Sequence, residues 1–246
     1  MRRETRILLS TVALGALWAA GQEVPEAVAS MDTFAVRDVS ITGLRYLDRG
    51  EVLELMEITD ETSIWTDRDR WLVPLREHPL VHDVSLRRRM PGTLELRITE
   101  RRPVALVATP TLEPVDADGV LLPIDPAEDR LDLPVVMNSE PVAPGSRLVP
   151  RPTRELLAHV GRLAEGDTAF LQMVSRVSWG ERGTLVARWS EPRVDFLIPA
   201  QASASRVREG LTILADAVGR FGGRAPDQID LRFADQVVVR RSDPLQ

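Results

Sequence analysis

The chain has 246 residues, enough for one large or two modest domains, each with a core of useful size. A hydrophobic content of 43% and a charged content of 28% are those of a folded protein. The net charge of −6 argues against a nucleic-acid-binding face, and the lack of cysteine excludes disulfides, thiolate catalysis and Cys-ligated metals.

Residues 1–6 are short and basic, and 7–20 then run without a charge. A basic flank before an apolar run is an export signal that keeps the arginines on the cytoplasmic side. The expectation is a cytoplasmic segment at 1–6 and a transmembrane anchor at 7–23, with a signal peptide as the alternative because Ala27-Val28-Ala29 offers a small-residue cleavage pattern. Both alternatives place the remaining chain outside the cytoplasm.

A first unit is expected over 34–102. Residues 34–41 alternate apolar and polar, the period of a half-buried strand, and Gly43 breaks the run. Asp48 with Glu51 three residues on reads as a capping box, and Val52, Leu53, Leu55 and Met56 share one side of the helix that follows. A shorter helix carries Trp71, Leu72 and Leu75, with its regular part starting near Pro74 because proline suits a first turn. His78-Pro79 ends it. Strands at 81–89 and 93–100 follow, joined by Met90-Pro91-Gly92. The order is β-α-α-β-β, a small sheet covered on one face by a helix pair.

A second unit is expected over 103–246, rich in antiparallel strands with two helices, so the fold class is α+β. Strands are read at 104–108, 112–115 and 120–124, with a hairpin turn at 116–119. The proline-rich text of 123–152 reads as irregular connections. A helix at 153–164 precedes strands at 174–177, 184–189 and 194–198, the first two joined through Gly180 to Gly183. Val207, Leu211, Leu214, Val218 and Phe221 mark a long amphipathic helix that Gly222-Gly223 stops. A final strand pair is expected at 229–233 and 237–240.

Chemistry-bearing constellations are scarce. Asp116, Asp118 and Asp125 lack the further ligands of an EF-hand, and turn chemistry accounts for 116–119. His78, His82 and His159 lack metal-ligand spacing. No nucleophile elbow or phosphate loop is present, so no catalytic residue, cofactor or metal is assigned.

The segments His78-Pro79-Leu80-Val81, Val84 to Arg88, Met90-Pro91-Gly92-Thr93-Leu94 and Thr99-Glu100-Arg101-Arg102-Pro103 resemble the FtsQ/DivIB family of bacterial division proteins, with an FtsQ-type POTRA domain. The closing 229–239 stretch is similar to that family's carboxyl-terminal strand pair. The resemblance implies a single-pass protein of the inner membrane, enriched at the septum, with POTRA at 34–102 and a β domain at 103–246. It implies no catalytic activity and no cofactor. Partners of the FtsB/FtsL type are implied at the β domain, and other division proteins at POTRA. The positions matching the family's partner contacts are Arg232, Phe233, Asp235, Gln236, Val237, Val238, Val239 and Arg240.

Physically, 237–240 is a β-branched run that reads either as a core strand or as a sheet edge able to accept an added strand. Val237 and Val239 share one face, and Val238 and Arg240 the other. Arg232 is a candidate bidentate anchor for a partner carboxylate, or a solvated surface arginine; Phe233 is a candidate apolar anchor. The alternative function is a POTRA-type export chaperone or transport component, binding client strands by the same edge chemistry.

Overall fold

The computed structural model describes residues 34–137, 140–166 and 168–241. The expected anchor at 7–23 lies outside the described residues, and among these no helix is long and apolar enough to cross a membrane. The chain divides into two compact units, the second beginning at Arg101.

The first unit contains β1 (Asp38–Thr42), α1 (Arg49–Met56), α2 (Arg68–Glu77), β2 (Val81–Arg89) and β3 (Thr93–Glu100). Its sheet has the order β1-β3-β2, with β1 parallel and β2 antiparallel to β3. Alternation puts Val39, Val84, Leu86, Leu94, Leu96 and Ile98 on the buried face, and the helices bury Val52, Met56, Trp71, Leu72 and Leu75. Asp48 caps α1 by accepting from the Gly50 N–H at 2.6 Å, while the Glu51 carboxylate lies 3.2 Å from His78 Nε2. Gly43 has φ +94°, and a Cβ there would sit 1.9 Å from the Ile98 carbonyl oxygen, so only glycine lets this turn close on β3.

Two expectations need correction here. The first strand begins at Asp38, because the chain before it is held differently: Ala35 bridges Ser63, and Arg37 N–H donates to the Gly92 carbonyl. The second helix starts at Arg68, capped by Asp67, and carries Pro74 inside it. An interior proline costs about 3 kcal/mol. Complete burial of Trp71 and Leu75 on one stripe offsets that, at roughly 1.5–3 kcal/mol for a large apolar side chain.

The second unit contains β4 (Ala105–Ala108), β5 (Leu112–Val115), β6 (Val135–Val136), α3 (Arg151–Gly166), α4 (Thr168–Gln172), β7 (Val174–Trp179), β8 (Thr184–Trp189), β9 (Val194–Pro199), α5 (Ala204–Arg220), β10 (Gln228–Asp230) and β11 (Val238–Arg240). The strands form one eight-stranded sheet in the order β11-β10-β9-β8-β7-β6-β4-β5. Val177, Ala187, Phe196 and Ile229 point to its inner face and join Leu156, Leu157, Val160, Val207 and Leu214 of the helices in one core. Phe170, Trp189 and Phe196 make a cluster with ring centroids 5.2–6.1 Å apart.

The sheet has the expected antiparallel pairs β4–β5, β7–β8, β8–β9 and β10–β11, and it also contains parallel pairs that were not expected. β10 runs parallel to β9, β6 to β7, and β4 to β6. The reason is connectivity: α5 lies between β9 and β10, and α3 with α4 between β6 and β7. A helical crossover returns the chain in the same direction. Residues 120–124 form only the isolated bridges Val115↔Leu121 and Val120↔Leu148 in place of a strand, and the proline-rich stretch supplies the unexpected two-residue β6. The additional short helix α4 is anchored by buried Phe170 and Leu171. The 116–119 turn is held by the Asp116 carboxylate, which accepts from the Asp118 and Val120 N–H groups and from Arg101.

Candidate functional site

The eight residues matched by resemblance occupy the connection after β10 and the last strand. Arg232, Phe233, Asp235 and Gln236 lie in the connection and are all exposed; Val238 to Arg240 form β11, with Val237 leading into it. The expected strand at 229–233 therefore ends at Asp230. Among the described residues β11 is a terminal strand of the sheet, paired with β10 alone in the register Gln228↔Arg240, Ile229↔Val239 and Asp230↔Val238.

The ladder fixes which backbone groups are left over. The Asp227 carbonyl accepts from the Asp195 N–H, and the Leu231 N–H donates to the Leu197 carbonyl. Ile229 thus addresses β9, Gln228 and Asp230 address β11, and the Asp227 N–H just before the strand also donates to the Arg240 carbonyl at 3.0 Å. Across the antiparallel register, the backbone N–H and C=O groups of Val238 and Arg240 point back at β10, so those of Val239 are directed off the sheet. Val237 and Val239 pack half-buried against the core, while Val238 and Arg240 face outward.

Arg232 is already engaged. Its Nε and Nη2 donate to the two Asp230 carboxylate oxygens at 2.9 and 2.7 Å, and its backbone N–H donates to Asp230 Oδ1 at 3.1 Å. The fork expected to be open for a partner carboxylate is spent on a neighbour, because Asp230 is completely buried and needs a counter-ion. Hydrogen bonds from the Arg232 side chain, then its backbone N–H and charge, and the nearby Arg240, hold the Asp230 carboxyl below the usual carboxylate range despite burial. Phe233 remains 44% exposed, large for an aromatic ring without a covering element.

The residue that sequence reasoning missed is Arg206, in the first turn of α5. Its guanidinium donates to the carbonyls of Leu231, Phe233 and Gln236 and pairs with Glu209. One side chain thereby ties both ends of the connection to the helix. The signal was present: a helix amino terminus favours an acid, and here Ser203 caps the helix and a cation sits three residues on. Close approach of the helix is permitted by Gly210, where a Cβ would meet the Leu231 methyls at 3.0 Å.

Among the described residues, a small β-α-α-β-β unit is followed by a mixed sheet with β11 at one edge. Comparison with known proteins gives the class to which such a chain belongs. Residues 34–101 match the POTRA domain, FtsQ-type. The chain is 26% identical to a cell division protein FtsQ of Geotalea daltonii, over 98% of this chain and 88% of that relative. It is 28% identical to the FtsQ of Rhodothermus marinus, over 85% of this chain and 79% of the relative. A relative from an Anaeromyxobacter species reaches 34% identity, over 44% of this chain and 37% of that protein. The chain belongs to the FtsQ family of cell division proteins, which are non-catalytic.

Proposed function

We propose that this chain is a divisome scaffold on the outer face of the inner membrane. It holds partners of the FtsB/FtsL type by strand addition at β11 during septum formation, and other division proteins through the POTRA unit. The observation that carries the reading is the position of β11 at the sheet edge with the Val239 backbone pair directed outward. Such an edge is a template for a partner strand.

Backbone pairing alone is too weak. Each hydrogen bond contributes about 0.5–1.5 kcal/mol net, while association costs roughly 4–15 kcal/mol. Side chains must supply the surplus. Phe233 and Val238 offer apolar surface beside the edge, and Arg240 a cation on the outer face. Arg232 contributes differently from a free anchor: Asp230 fixes its plane, and the Nη1 side of the guanidinium is left for an acceptor on the partner. Asp235 and Gln236, exposed in the connection, complete the polar rim.

The register selects the test. Val239→Pro deletes the outward N–H and leaves the bonds from Val238 and Arg240 to β10 in place. Binding of the full chain to the extracytoplasmic segments of its cognate FtsB and FtsL should fall by at least about tenfold, with the melting temperature little changed. Undiminished binding would remove β11 from the interface and leave family membership standing.

A further inference from the structure

We infer that the β domain carries a second recognition site, a cationic groove of about 540 Å³ on the face of the sheet opposite its helices, which takes the carboxylates of an extended acidic segment of a partner protein. The groove is lined by Val135 of β6, Ser175 and Arg176 of β7, Arg188 of β8 and Arg193 of the β8–β9 turn. It lies at the middle of the sheet, strands away from β11, and does not depend on strand addition there.

One cross-strand pairing in this groove is unfavourable. The β7–β8 register sets Arg176 directly across from Arg188. Like charges in directly opposed positions of an antiparallel pair destabilise it. One acid is available on the next strand, since Arg188 stands across from Asp195. That acid is fully used: Arg188 Nε and Nη2 each lie 2.6 Å from one of its two carboxylate oxygens. Arg176 and Arg193 are exposed, and neither meets a carboxylate among the described residues.

A chain with 37 acidic side chains against 31 basic ones has no solubility need for cations left unpaired in one hollow. Guanidinium forks match carboxylates bidentately, which makes clustered arginines a site for acidic motifs. The Ser175 hydroxyl is turned to the Arg188 carbonyl at 3.0 Å, which steadies the wall between the two strands. The net charge of −6 would oppose approach to a flat anionic bilayer, whereas an extended peptide enters a groove without bringing a second charged surface against the whole molecule.

The test uses the full chain and a fluorescein-labelled hexaglutamate peptide, followed by anisotropy at low and at physiological salt. R176E/R193E should weaken binding on the order of tenfold or more, and R176Q/R193Q by less. R208Q/R220Q, which changes two exposed arginines of α5, should bind as the wild type does. Stability separates recognition from structure: Arg176→Glu turns a repulsive cross-strand pair into an attractive one, so the melting temperature should hold or rise while binding is lost. Four outcomes would each overturn the proposal. These are no peptide binding by the wild type, equal loss in the α5 control, a melting temperature that falls with Arg176→Glu, and groove variants that alter only binding to phosphatidylglycerol vesicles.

Discussion

At the scale of single residues, the proposed partner edge rests on two charges that are hidden from solvent. Arg206 has a side chain only 13% exposed and spends its donors on the connection between β10 and β11. Arg206→Met keeps the apolar stem and removes those donors. Hydrogen bonds from charged groups contribute about 1.5–3 kcal/mol, and several on one side chain do not add fully, so a loss of about 2 kcal/mol is expected. Hydrogen exchange should accelerate across 231–237, and partner affinity should fall although no partner contact was removed. A variant with unchanged exchange there would deny Arg206 its bracing role. Asp230 contributes a pH signature. Its folded-state carboxyl titrates below its unfolded value because of Arg232, so its stabilisation is present above the unfolded value and lost as pH falls through the folded one. The stability gap between wild type and Asp230→Asn, about 2 kcal/mol at pH 7, should therefore close as urea titrations move into acid below about pH 4.

At the scale of elements, Glu100 shows how a motif residue acts structurally. Its Oε1 accepts from the Arg45 and Leu47 N–H groups and its Oε2 from Tyr46, so the end of β3 holds the loop leading to α1. Glu100→Gln keeps the size but aims an amide donor at a backbone donor. The first unit should lose about 1–3 kcal/mol, seen as an earlier unfolding step that leaves the β domain's own transition in place. The helices and most strands were legible because burial enforces a period: Leu156, Leu157, Val160 and Leu163 on α3, or Leu94, Leu96 and Ile98 on β3. What escaped was non-local. Val135 and Val136 are too short to show any period, and become a strand only because β4 and β7 flank them. Pro74 opposes its helix locally and is overruled by Trp71 and Leu75. The candidate site was legible as a stretch of chain, yet the use of Arg232 depends on Asp230 being buried, and burial of one acid between Ile229 and Leu231 is decided by the sheet around it.

At the scale of the β domain as a whole, an open sheet has two edges, and this one treats them differently. On β5, Pro114 lacks an N–H and its carbonyl already accepts from Leu122, so that rim offers little to an incoming strand. On β11 the Val239 groups are directed outward, which is why this edge is the one proposed for partners, and it is also a hazard for self-association. Two copies pairing antiparallel through Val239 would bring four cations, Arg240 and Arg241 of each, onto one short ladder. Like charge then opposes the symmetric pairing. An acidic partner strand meets no such opposition. Arg240→Val would extend the apolar run to 237–240 and remove half of that opposition, leaving a flat β-branched edge of the kind that associates. Sedimentation of the full chain should shift from monomer toward dimer or larger species in the variant, most clearly at high salt, where the remaining Arg241 charges are screened. If Arg240→Val sedimented as the wild type at every salt concentration, the arginine would have no part in keeping copies of the chain apart.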